Sequence, residues 1–347
     1  MNTKVTIYDI AREAGVSPSM VSRVYNQKPG VSKEKRERIQ RLIDQYQFVP
    51  DEYAKSLKNE RTRCIGIIAS DVCNPFFARI ISECCHVADK NGYTVFSYET
   101  HDSPQTEMKF LEMLAAQKME AIILLGGETD WVEIDPKYYA CIERIARHTP
   151  IITMGRIRCD NVYNVITDEG RAMRTLLEYL LGMGHRQILF LGGLAHTRSY
   201  ADKVEQFYQT MQENRVPRKD VQVCMCGYEK EDSYEEMKSL LEQERIPSAV
   251  IAVNETVAIG AIRAIKEKGL RIPEDISVVC FDNSFISESM TPRLTAVGCS
   301  YEKFGQKLIN TTLDAIDGSA FLDEKKAEIV ESVFVIRESV QLYHGEG

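Results

Sequence analysis

The 347-residue sequence has a single tryptophan and no apolar run near the roughly 18 residues that a membrane span needs. Its start, MNTKVTIYDIAREAG, lacks the continuous apolar stretch of a secretory leader. No membrane partner is expected, and the chain reads as cytoplasmic. Its ten cysteines never take C-x-x-C spacing, and the pairs Cys84/Cys85 and Cys224/Cys226 suit neither a zinc nor a redox site. Most are read as small buried hydrophobes, with no metal assigned. Also missing are a G-x-G-x-x-G after a strand, a Walker loop, a G-x-S-x-G elbow and an H-E-x-x-H helix. No cofactor or catalytic residue is therefore expected, and the chain is read as a non-enzyme. With 44% hydrophobic and 27% charged residues, disordered, collagen-like and coiled-coil classes are excluded.

Positive charge is also in short supply. Lys and Arg number 43 against 51 Asp and Glu, a net charge of −8. That balance excludes a protein that coats nucleic acid over its whole surface, but a total hides its distribution. Residues 1–63 hold 13 basic and 8 acidic side chains, a net +5, and residues 64–347 hold 30 and 43, a net −13. This is the asymmetry of a basic arm on an acidic body.

The arm carries helix signals in close order. Thr6-Ile-Tyr-Asp9 fits a capping box, with Ile7, Ile10, Ala11 and Ala14 at helical spacing behind it. Gly15 breaks that helix, and Ser17-Pro18 opens a second, to about Tyr25, that buries Val21 and Val24. Two short helices joined by a tight turn form a helix-turn-helix, whose second helix presents its first residues to base edges in the major groove. A third helix is expected over about 33–46, with Ile39, Leu42, Ile43 and Tyr46 on its apolar face. After Pro50, residues 51–58 are too short for a helix that is stable alone. Leu57, between Lys55 and Lys58, has the character of an apolar wedge for a minor groove.

The stretch from Val5 to Ile68 resembles the amino-terminal signature of the LacI/GalR family of bacterial transcriptional regulators. The resemblance implies a homodimer on a pseudo-palindromic operator, with a hinge helix that folds on the DNA and inserts Leu57, flanked by Ala54 and Lys58. It makes Pro18, Ser19 and Arg23 the base readers. Ser17, Ser22 and Asn26 fall at phosphate-contacting positions, and Thr6 completes the DNA-binding set. The chemistry agrees: Arg can grip guanine bidentately, whereas Ser and Asn suit phosphate oxygens.

From Cys64 onward, short β-branched runs alternate with amphipathic stretches, with a break near residues 162–168. Such alternation means parallel sheets covered on both faces, here two doubly wound lobes with a ligand cleft at their strand ends. Trp131 stands without an aromatic neighbour, and His185 reads as a satisfied structural histidine. DVCNPFF, GMGHRQILFLGG, PSAVIAVNETVAIGAIRAI, ISVVCFDNS and PRLTAV extend the family resemblance through this body. By analogy with periplasmic sugar-binding proteins, it implies interlobe crossings near residue 163, residues 291–294 and residues 324–327. The expected plan is a headpiece at 1–50, a hinge at 51–63 and a body at 64–342. Lobe 1 would be about 64–163 with 294–325, and lobe 2 about 164–293 with 326–342.

The same resemblance places Phe76, Arg156, Lys203, Asn254, Asp282 and Tyr301 at the effector site. Departures weaken it, because Lys203 stands where sugar-responsive members carry Arg, Gln206 where they carry Gly, Gly155 before Arg156 and Glu255 after Asn254 where they carry Asp. A bidentate fork becomes a point charge. The leading expectation is a repressor of carbohydrate-metabolism genes answering to a sugar or sugar phosphate. Lys203 also occurs in relatives that answer to a phosphoprotein, which leaves a protein co-regulator open. A cytoplasmic solute-binding protein with an incidental basic arm is the reading from another class. No Leu heptad follows the last strand, so a C-terminal tetramerising helix is not expected.

Overall fold

The computed structural model describes residues 5–48, 61–243, 246–319 and 327–344. The chain divides into two units, Met1–Thr62 and Arg63–Gly347. In the first, α1 (Ile7–Ala14), α2 (Pro18–Tyr25) and α3 (Lys33–Gln45) enclose a small apolar core. Thr6 and Asp9 close the capping box at α1: the Thr6 amide donates to the Asp9 carboxylate at 3.0 Å, and the Asp9 amide donates back to Thr6 Oγ1 at 3.4 Å. Gly15, at φ 65°, ends the helix in the left-handed region and returns its N–H to the Ala11 and Arg12 carbonyls. Ile10, Val21, Val24 and Ile39 are fully or almost fully buried, and Phe48 covers the base. Tyr46 departs from the expected apolar face. It is 37% exposed, and its hydroxyl donates to Glu13 at 2.8 Å, because a phenol tip needs a polar partner that this small core lacks. Ala54, Leu57, Lys58 and the expected hinge helix lie outside the described residues.

The second unit holds two six-stranded sheets. The first has β1 (Cys64–Ala69), β2 (Thr94–Glu99), β3 (Ala121–Leu125), β4 (Ile151–Thr153), β5 (Val162–Thr167) and β11 (Glu328–Val330), in the order 2-1-3-4-5-11, all parallel. Helices α4 (Pro75–Lys90) and α12 (Tyr301–Asp317) share one apolar cluster with this sheet, and α5 (Pro104–Ala116) and α6 (Pro136–Ala146) share the other. The second sheet has β6 (Ile188–Leu191), β7 (Val221–Cys224), β8 (Ala249–Ala252), β9 (Ser277–Phe281), β10 (Thr295–Cys299) and β12 (Ser332–Val335), in the order 7-6-8-9-10-12, with β12 antiparallel. Helices α7 (Glu169–Gly182), α8 (Arg198–Glu213), α9 (Lys230–Glu242) and α10 (Glu255–Glu267) build its core, and α11 (Phe285–Ser289) follows β9. Strands such as Ala121–Leu125 and Ala249–Ala252 are buried throughout, which explains their unbroken apolar runs.

Strand pairing relocates the three crossings. Tyr163 to Thr167 stay with the first sheet, so the chain leaves it after Thr167, not near residue 163. β10 pairs with β9, which keeps 294–299 in the second lobe and moves the next crossing to Ser300. β11 pairs with β5, so the return falls at Glu331 between β11 and β12, past the expected 324–327. An apolar run marks a strand, whereas the sheet it joins is settled by its neighbours.

All ten cysteines are free. Cys84, Cys141, Cys280 and Cys299 are buried, but Cys73 and Cys85 are exposed and do not fit the reading as core hydrophobes. His185 is buried, with Nδ1 3.1 Å from Ser248 Oγ and Nε2 3.2 Å from the Gln341 carbonyl oxygen, and its ring stacks on Tyr343. Burial pushes its pKa down to about 4, as expected of a neutral structural histidine.

Gly155 shows why an aspartate is missing there. A Cβ at this position would lie 1.9 Å from the Thr129 carbonyl oxygen, so the close approach of these two backbones admits no side chain. Gly155→Ala should cost about 1–3 kcal/mol in urea unfolding as the backbones are forced apart. Gly182→Ala, with nothing within 4 Å of its Cβ, is the control and should cost nothing.

Candidate DNA-reading helix and effector cleft

In the headpiece, Pro18 occupies the first turn of α2, flanked by Ser17 as N-cap and Ser19. The Ser17 and Ser19 hydroxyls lie 2.9 Å apart, and Ser17 makes no cap bond to the helix. One hydroxyl donates to the other, which leaves the second hydroxyl's proton and the N–H groups of the first turn to an anion such as a DNA phosphate. Arg23 is exposed and forms no ion pair among the described residues, whereas Asn26 donates to the Ser22 carbonyl at 2.8 Å and to its hydroxyl at 3.3 Å. Asn26 thereby closes the end of α2, a local role beside its expected phosphate contact.

In the body, a cavity of about 390 Å³ opens where the carboxyl ends of the two sheets face each other. That is within the usual range for small-molecule sites. Phe76, Arg156, Lys203, Asn254 and Asp282 all line it. Tyr301 does not: it is 9% exposed and stands behind, its hydroxyl donating to the Asp282 carbonyl at 2.8 Å and its ring 6.0 Å from Phe76. Its phenol pins the backbone that aims Asp282. At Gly298 a Cβ would lie 2.2 Å from that same Asp282 carbonyl, so glycine gives the turn its room. Asp282 sits at φ 89° and Asn283 at φ 53°, an unfavourable conformation held by its surroundings.

Two residues that depart from the family pattern explain themselves here. Glu255 is 2% exposed, and its carboxylate accepts from the amides of Ser284 (2.7 Å) and Ser287 (3.0 Å) and from both of their hydroxyls. It ties α10 to the start of α11 and fixes the turn after Asp282. Lys203 is buried on α8, 2.5 Å from Glu169 and 4.7 Å above the Phe281 ring. Burial opposes the charges of both partners, but each outweighs that penalty for the other, so the Lys203 pKa stands above its ordinary value and the Glu169 pKa below. Asn254 caps α10 by accepting from the Val257 amide at 2.7 Å, which leaves its amide group toward Tyr228 and the cavity.

The lobes touch along one side of the cleft. Val132 N donates to the His196 carbonyl at 2.8 Å, Trp131 bridges to Thr197 in antiparallel fashion, and Arg198 donates to the Val132 carbonyl. Ser199 donates to Asp130 through its amide (3.3 Å) and hydroxyl (2.6 Å), and Arg156 pairs with Asp202 at 2.9 Å. The Trp131 ring meets His196 edge-on at 4.9 Å, so this tryptophan has the partner its sequence neighbourhood did not show. Neither Trp131 nor Asp130 was among the expected site residues. Both follow β3 by more than one turn, and only the fold brings them to the cleft.

A three-helix unit with a helix-turn-helix, in one chain with a two-lobed, cleft-bearing unit, is the architecture of a DNA-binding transcriptional regulator. Residues 6–51 match the model for bacterial regulatory proteins of the lacI family, and residues 177–340 match the periplasmic binding protein-like domain. The chain is 31% identical to the HTH-type transcriptional repressor PurR of Histophilus somni strain 129Pt, over 97% of this chain and 99% of that protein. It is 27% identical to the NTD biosynthesis operon regulator NtdR of Bacillus subtilis strain 168, over 96% and 99%. Its fold follows that of the Lac repressor dimer bound to operator and the anti-inducer ONPF, with a TM-score of 0.83 at 24% identity, covering 98% and 100% of the two chains. The chain belongs to the lacI family of bacterial regulatory proteins. No helix among the described residues is long and apolar enough to cross a membrane.

Asp130 gives the cleft a pH signature. Burial lifts its pKa from 3.8 to about 6, against the Ser199 bonds and the Lys203 charge. The folded state then holds this proton more tightly than the unfolded chain. The associated stability is present below about pH 4 and lost as pH rises through about 6. Thermal unfolding across that range should show wild type losing ground to Asp130→Asn, by about 1–3 kcal/mol. A difference that stays constant with pH would contradict the assignment.

Proposed function

We propose that this protein represses transcription as a homodimer on a pseudo-palindromic operator, and that a small molecule held between its lobes sets operator affinity. Thr6, Ser17, Ser22 and Asn26 would contact phosphates, and Pro18, Ser19 and Arg23 the base edges. Ala54, Leu57 and Lys58 would form the minor-groove segment. The observation that carries the effector reading is the cleft itself: polar side chains from both lobes converge on one cavity beside the bonds that join those lobes. A ligand with more contacts to the closed form than to the open one shifts that equilibrium, and linkage makes the operator and the ligand alter each other's affinity by the same factor.

Hydroxyl recognition by Asp282, Asn254 and Asp102 beside aromatic walls supports a sugar and, with it, control of carbohydrate-metabolism genes. A sugar phosphate fits less well, because acids outnumber bases around the cavity. Phe76, Trp131 and Tyr228 in the lining also favour a second reading, a planar heteroaromatic base. Control by a protein partner rests on Lys203 being shared with relatives of that kind, and the burial of its ammonium against Glu169 neither adds to that reading nor bears on where a partner would dock.

Selection of binding sites from random DNA should recover an inverted repeat, and a non-symmetric site would refute the dimeric readout. In those sites Arg23→Ala should relax one position per half-site by about 1–3 kcal/mol. Leu57→Ala should lower specific affinity while leaving nonspecific binding nearly unchanged. Unaltered operator affinity would remove the wedge.

A further inference from the structure

The charges around the cleft do not balance. Eight carboxylates line the cavity against three Lys or Arg side chains, with His196 beside them. All three bases are already engaged: Lys203 with Glu169, Arg156 with Asp202, and Arg198 with the Val132 carbonyl. Asp102 and Asp130 enter from the first lobe and Asp282 from the second, and among the described residues none of the three forms an ion pair with Lys or Arg. Their partners are neutral: the Ser199 amide and hydroxyl for Asp130, and the Ser70 hydroxyl for Asp102. Lys203 favours the charged form of Asp130 and Asp282, and His196 and His101 that of Asp102, but burial outweighs them, and a carboxylate held in a cleft without an ion pair is costly. In keeping with this, burial raises the affinity of all three for a proton.

A group that arrives with the ligand can supply the missing charge. An inorganic anion or a phosphoryl group would deepen the imbalance, and a neutral polyol would satisfy lone pairs but leave the charge. A simple metal ion would fill only a corner of some 390 Å³ walled in part by Phe76, Trp131 and Tyr228. Resting on the reading of this cleft as the effector site, we infer that its effector is an organic cation, a hydroxyl-bearing amine whose ammonium is held between Asp282 and the Asp102 and Asp130 side. The same charge drives closure, because the cation neutralises carboxylates of both lobes only when they are together.

The test uses the full-length protein, its selected operator and two matched triplets: glucosamine, glucose and glucose 6-phosphate, and galactosamine, galactose and galactose 6-phosphate. Thermal shift reads binding and operator titration reads regulation. At least one amine should bind roughly tenfold tighter than its neutral and phosphorylated counterparts and change operator affinity by about fivefold or more. Asp102→Asn with Asp282→Asn should abolish that preference, and a single cooperative thermal transition without ligand shows that the variant is folded. Equal or tighter binding of a neutral or phosphorylated member would overturn the charge class but keep the cleft as the effector site. So would a shift reproduced by calcium chloride alone. Silence from every compound in both assays would overturn both.

Discussion

The body depends on one constraint: parallel strands all end at the same edge of their sheet, and the two sheets, parallel but for β12, are set here with those edges face to face. Asp282 follows β9, Asn254 follows β8, Arg156 follows β4 and Asp102 follows β2, so the side chains of the cavity arrive from separate points of the sequence without any local motif. The strands supply rigidity and the loops beyond them supply chemistry. Confinement then multiplies the effect of each charge. Lys203 and Glu169 stay ionised in a place that would neutralise either alone, whereas Asp130 and Asp282, lacking such a partner, hold their protons to higher pH.

Much of this is legible in the amino-acid sequence alone. Capping chemistry is local, so Thr6, Asp9, Ser17 and Pro18 marked the starts of α1 and α2, and the alternation of apolar runs with amphipathic stretches implied two covered parallel sheets. What escaped was set by distance. The crossings were misplaced by a few residues because β5, β10 and β11 choose partners far away in sequence. Tyr301 was placed in the cleft because its position matched, yet the structure gives its hydroxyl to the Asp282 carbonyl from behind. Trp131 looked isolated because His196 lies 65 positions further on.

The departures from the family pattern also read differently once packed. Gly155 in place of an aspartate is a steric necessity against the Thr129 carbonyl. Glu255, longer by one methylene than the usual aspartate, gathers four donors from Ser284 and Ser287 and so holds the strained turn that presents Asp282. Lys203 gives up the planar fork of an arginine, and the charge it retains is spent on Glu169. Each of these three is answered by its immediate neighbours, and the pairing of Lys203 with Glu169 leaves that ammonium without charge to spare for a ligand.

The junction between the lobes is written partly in main chain. The bond from Val132 N to the His196 carbonyl and the bridge from Trp131 to Thr197 need no particular side chain. Mutation can therefore redraw the walls of the cavity, residue by residue, without erasing the backbone contact that joins the lobes. A descendant of this protein could change the chemistry of its cavity while inheriting the seam beside it.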